Sequence, residues 1–192
     1  LANLHAHEEN NLKTLFDFAD GSIRLKNYSD RNHFIQSYPF PPYQYMLFQM
    51  AITSLSQHNA FEGKHSSVGE RSMLGVFREV AIAIQHEPVG QLATFDRMFE
   101  GIRGALKSGL QSAINTAESH LNDDYAVRVL KALFLVKYVK EFKASLRNLS
   151  VLMTERFGED AATQRVRRAQ GQQVNHPGSA SCRLVCQHKT LP

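Results

Sequence analysis

Asp124-Tyr125-Ala126-Val127-Arg128-Val129-Leu130-Lys131-Ala132-Leu133-Phe134-Leu135-Val136-Lys137-Tyr138 is the most apolar segment with a sustained helical period. Val127, Leu130, Leu133, Phe134, Tyr138 and Phe142 recur at three- and four-residue spacing, the period of one helix face. Asn122-Asp123-Asp124 just before them is a cluster of N-cap residues. The spacing predicts a strongly apolar helix over 124–142 that sits at the centre of the molecule. The longest apolar run, Ala132 to Val139, is short and holds Lys137, so it does not span a membrane.

Working outward, Lys143-Ala144-Ser145 links this helix to another over 145–157, with Leu146, Leu149, Leu152, Met153 and Phe157 on one face and Gly158 at its end. Such a pair either forms two core helices or opens a three-helix winged-helix unit, whose third helix would enter a DNA major groove. That third helix would fall after Asp160, where the apolar period is lost. Towards the N-terminus, 3–19 reads as a short helix carrying Leu12, Leu15, Phe16 and Phe18, broken by Asp20-Gly21-Ser22. Ile23 to Gln36 shows no clear period. Tyr38-Pro39-Phe40-Pro41-Pro42 is expected to be extended, because a residue preceding proline is pushed out of the helical region. Tyr43, Met46, Leu47, Met50, Ala51 and Leu55 then define a helix, and Phe95, Met98, Phe99, Ile102 and Leu106 another. Leu110, Ile114, Ala117 and Leu121 define one more. The fold class is mainly α: a helical domain over 1–122, incomplete winged-helix-like helices over 123–160, and a disordered basic tail over 161–192.

Phe61-Glu62-Gly63-Lys64-His65-Ser66-Ser67-Val68-Gly69-Glu70-Arg71-Ser72 is a glycine-bearing cationic junction. It runs into a helix with Met73, Leu74, Phe77, Val80, Ala81 and Ile84 as its stripe. Backbone N–H groups at a helix start favour an anion, and glycine lets a ligand approach the main chain. Lys64 and Arg71 are therefore candidate phosphate- or interface-facing charges, with Glu70 orienting the helix start. Ser67-Val68-Gly69-Glu70 is equally an S-x-x-E capping box, which any helix can use. Both readings stand.

The formal charge of +4 is unevenly placed. From Thr163 onward Arg165, Arg167, Arg168, Arg183 and Lys189 face no Asp or Glu, which leaves the body near neutral. Any nucleic-acid argument from charge concerns the tail. Both cysteines, Cys182 and Cys186, also lie there; their spacing, with His176 and His188 nearby, departs from structural zinc motifs. A body without cysteine fits a reducing cytoplasm. No H-E-x-x-H and no G-x-S-x-G occurs, and Gly63-Lys64 is not part of a G-x-x-x-x-G-K-[ST] loop. No metal site and no catalytic residue is therefore expected. The aromatics Tyr38, Phe40, Tyr43 and Tyr45 beside the prolines suit core packing, or the docking surface of a non-enzymatic helical interaction module.

Tyr38-Pro39-Phe40-Pro41-Pro42-Tyr43-Gln44, then Gly63 through Leu74, Val129 through Tyr138, and Leu146-Arg147-Asn148-Leu149-Ser150-Val151-Leu152-Met153 resemble the large P-loop protein of BREX phage-defence systems, the BrxC/PglY family. The resemblance covers residues 1 to about 160 in order. It implies an AAA-like ATPase that uses ATP and Mg in the intact protein, works with other BREX components on DNA, and can oligomerise. This chain would be an internal segment of it: an AAA-like lid region and the start of a winged-helix unit. The P-loop would lie upstream, so no autonomous ATP hydrolysis is expected. The tail departs from the family pattern, which puts DNA binding by this segment in doubt.

Overall fold

The computed structural model describes residues 1–19, 24–63, 70–121, 123–157 and 161–175. Its α-helices are α1 (Ala2–Thr14), α2 (Arg31–Ser37), α3 (Tyr43–Gln57), α4 (Glu70–Ala83), α5 (Met98–Arg103), α6 (Ser108–His120), α7 (Asp124–Val136), α8 (Leu146–Leu152) and α9 (Ala161–Asn175). A 3-10 turn over Phe95–Arg97 leads into α5. The mainly helical fold expected from periodicity is what forms. Among the described residues the only extended pairings are two isolated bridges, Phe61 with Leu106 and Gln91 with Arg156. Among them, too, no helix is long and apolar enough to cross a membrane.

α7 is the central helix. Asp123 caps it by accepting a hydrogen bond from the Tyr125 N–H at 2.8 Å. Tyr125, Ala126, Val129, Leu130, Ala132, Leu133, Phe134, Leu135 and Val136 are all buried on it. A helix apolar on so many sides must be covered on as many, and α3, the 3-10 turn, α5, α8 and α9 all pack against α7. One buried cluster runs from Leu12 to Ala169, so the expected boundary at 122/123 falls inside a continuous core.

Several boundaries differ from expectation, each for a local reason. α7 stops at Val136 rather than 142. The chain then tightens into i→i+3 turns, Val139 N–H to the Val136 carbonyl and Phe142 N–H to the Val139 carbonyl, with both side chains still buried. α8 ends at Leu152 because the next residues become extended: Glu155 accepts from the Leu92 N–H at 2.7 Å and Arg156 bridges Gln91. α2 was not legible in the periodicity; Asp30 starts it by accepting from the His33 N–H at 2.9 Å. It ends at Tyr38, which is extended, and the Tyr38–Pro39 peptide is cis.

The largest correction concerns the tail. Disorder was expected from 161, yet α9 occupies 161–175 and packs on both α7 and α8. Its inward residues are Ala162, Val166 and Ala169, a stripe too small to register as an apolar period. Residues 176–192 lie outside the described residues. A third helix is thus present beside α7 and α8. The links at 137–145 and 153–160 are longer than the roughly three- to four-residue turn of a helix-turn-helix.

α4 crosses α5 where Gly101 leaves room. A Cβ built on Gly101 would lie 2.7 and 2.8 Å from the two Val76 methyl carbons. Glycine inside a helix ordinarily costs about 1 kcal/mol relative to alanine, but here the collision outweighs that gain. Gly101→Ala is expected to destabilise the fold by about 1–3 kcal/mol in urea unfolding. Gly101→Ala with Val76→Ala should recover part of the loss; a stabilised Gly101→Ala single variant would show that the two helices are not in contact there.

Candidate functional site

The three charged candidates differ in what can be said of them. Lys64 lies outside the described residues, as does Ser67 of the S-x-x-E box. Glu70 and Arg71 occupy the first turn of α4. The helix they open is well placed on the body: Val76, Phe77, Val80 and Ile84 are buried, and the Phe77 ring meets Phe40 at 5.0 Å, Tyr45 at 4.7 Å and Phe48 at 5.9 Å. The stripe is narrower than expected. Leu74, assigned to it from spacing, is 72% exposed, and Ile82 is 46% exposed. At about 100° per residue the buried side centres near Phe77 and Val80, and Leu74 and Ile82 fall outside it. Leu74 and Ile82 are therefore exposed about two turns apart on the outer side of α4, with the exposed Arg78 between them.

The aromatic block near the prolines is mainly internal. Tyr43 is 1% exposed and its hydroxyl donates to the Val151 carbonyl at 3.3 Å; Phe40 is buried; the Tyr38 hydroxyl accepts from the Gly90 N–H at 2.9 Å. Only Tyr45 of the four is exposed, and its ring stacks on Phe77. These side chains hold α3 to α4, α8 and the 88–92 turn.

Charged side chains gather in two clusters. In the first, Arg128 on α7 donates to Asp96 at 2.9 Å, to the Thr94 hydroxyl at 2.8 Å and to Glu155, while Arg165 on α9 donates to Glu155 at 3.2 Å. The Arg165 guanidinium also sits 4.0 Å from the centre of the Tyr125 ring. Burial opposes the charge on Arg128, but its bonds to Asp96 and Glu155 more than compensate and raise its pKa. Burial likewise opposes ionised Glu155, and Arg128 and Arg165 override it to lower the pKa. Burial pushes the Tyr125 phenol up to about 12. In the second cluster Arg103 pairs with Glu100 and Glu118, and Lys131 reaches the same two carboxylates at 2.6 and 2.9 Å. This joins α5, α6 and α7. Each cluster closes its charges on itself, so neither presents an unpaired acid or base to a substrate.

Among the described residues no group of His, Cys, Asp and Glu is arranged to hold a metal ion. Several histidines pack on rings instead: His58 stacks on Tyr138 at 4.0 Å and His5 meets Phe34 edge-on at 5.4 Å. A niche between Phe18, Leu47, Met50 and Phe142 encloses about 270 Å³ including its open mouth, below the roughly 300–1,000 Å³ of ligand pockets. Asn148 at its edge is fully occupied, exchanging two hydrogen bonds with the Ala19 backbone and donating to the Lys143 carbonyl.

No protein-family model matches this chain, and no solved structure matches its fold.

The Glu155 cluster makes a pH prediction. A carboxylate whose folded pKa is lowered stabilises the fold above its unfolded value, near 4.5, and that stability is lost as pH falls through the folded value. Unfolding free energy should therefore drop as pH falls below about 4.5, and Glu155→Gln should flatten part of that drop. An unchanged slope in the variant would mean that Glu155 is not held by Arg128 and Arg165.

Proposed function

We propose that this chain is a non-catalytic helical segment of a BREX-type P-loop ATPase, acting in bacteriophage defence, that packs beside a nucleotide-binding core located elsewhere in the intact protein. The sequence blocks on α3, α4, α7 and α8 support the assignment to that family. The observation that carries the role is the exposure of Leu74 and Ile82 on either side of the exposed Arg78, on a helix whose first turn holds Glu70 and Arg71. Apolar side chains flanking an arginine suit the mixed surface of a protein–protein contact, where Arg is enriched. A charged first turn on the same element would bring Arg71 to the boundary with the core that holds ATP and Mg, where a cation stabilises charge on a transferring phosphate.

Reading the encoding locus upstream of Leu1 tests the assignment. An in-frame G-x-x-x-x-G-K-[ST] followed by this segment supports it; a start codon at Leu1 with no such loop upstream rejects it in favour of a free-standing helical interaction module. In the intact ATPase, Arg71→Ala should lower ATP turnover about tenfold or more, and unchanged turnover would remove Arg71 from the interface. Leu74→Asp with Ile82→Asp should leave the melting of the isolated chain unaltered, since both side chains are exposed in it. In the intact protein the same pair should increase protease cleavage around α4. Equal cleavage of variant and parent would show that α4 packs on nothing.

A further inference from the structure

The face of α9 turned away from the body is basic, and nothing in its own segment balances it. Ala161 to Pro192 contains no Asp or Glu. Ala162, Val166 and Ala169 anchor α9 inward, and Gln164, Arg165, Arg167 and Arg168 are exposed. Arg165 is engaged at the flank, between the Tyr125 ring and Glu155. Glu155, the acid that contacts α9, is already neutralised by Arg128 as well. Arg167 and Arg168 make no ion pair with any described residue. They stand three and four positions after Gln164, so the three side chains share one outward side of the helix.

We infer that this side of α9 binds the phosphate backbone of duplex nucleic acid without reading its bases. A guanidinium presents a planar fork of donors that matches phosphate oxygens bidentately. Two such forks and an amide on one rigid helix turn provide charge and positioning, whereas base readout needs side chains inserted into a groove. The Arg165 clasp holds the helix in place beforehand, so binding requires no ordering of α9. These residues lie beyond the blocks that resemble the P-loop family, and the inference stands on α9 alone.

The test is fluorescence anisotropy of two unrelated DNA duplexes titrated with the full chain over a series of salt concentrations, starting low because non-specific contacts are weak. Both duplexes should bind equally, with log K falling linearly against log salt. Arg167→Ala with Arg168→Ala removes two phosphate contacts at about 0.9 each. It should reduce the slope by about 1.8 and weaken binding about tenfold or more at the lowest salt. Circular dichroism should match the parent, since both side chains are exposed. Arg183→Ala with Lys189→Ala should leave the part of the slope that depends on Arg167 and Arg168 intact. Four outcomes overturn the inference: no binding at the lowest salt, a strong preference for one duplex, equal binding by the Arg167/Arg168 variant, or binding to phosphatidylserine vesicles without binding to DNA.

Discussion

The burial of α7 on nearly all its sides is the constraint on which the other elements depend. Nine of its residues are buried, so it needs neighbours in every direction, and α3, α5, α8, α9 and the 3-10 turn supply them. Arg128 on this helix then requires compensation. A guanidinium drawn into a largely apolar setting is costly unless its donors are matched. Asp96, Thr94 and Glu155 match them from two separate segments. The same pairing fixes the extended residues after α8 and gives Arg165 of α9 a carboxylate to hold. Hydrophobic coverage brings the helices together, and the matched charge selects one arrangement of them.

Around that centre the contacts are divided by type. Small residues permit close crossings, Gly101 against Val76 and the Ala162, Val166 and Ala169 stripe of α9. Rings make the longer-reaching joints, with Phe77 set among Phe40, Tyr45 and Phe48. Asn148 holds the segment after α1 in place through the Ala19 backbone. Both charge clusters are closed, while exposed side chains remain on α4, at Leu74, Arg78 and Ile82, and on α9, at Arg167 and Arg168. The first surface mixes apolar and charged side chains and the second is cationic. They suit different partners: a packed protein domain in the first case and a polyanion in the second.

Much of the helical architecture could be read from the order of residues. A period of 3.6 in side-chain hydrophobicity is a local property, and it placed α3, α4 and α6 to within a few residues, and the start though not the end of α7. Caps are local too, as at Asp123. Reading failed where the decisive contact was remote. α2 has no clean stripe because its few buried residues, Phe34 and Ser37, meet partners from several segments. α9 escaped notice because alanine and valine bury little area, and its attachment relies on the Tyr125 ring forty residues before Arg165 as well as on the nearer Glu155. Leu74 looked like a core residue because spacing gives the period of a helix but not the width of the face that neighbours will cover.

Residue order is enough to show that this protein is helical, which helix is central, where the basic residues concentrate, and that no P-loop is present among its residues. Each of these follows from composition or from spacing along a short segment. Tertiary structure alone decided that the aromatic block turns inward, that Arg128 and Glu155 neutralise each other, that Leu74 and Ile82 remain uncovered, and that Arg167 and Arg168 stand free of the described acids. Those outcomes depend on which distant side chains arrive at the same place. Packing sets that, and no local pattern records it.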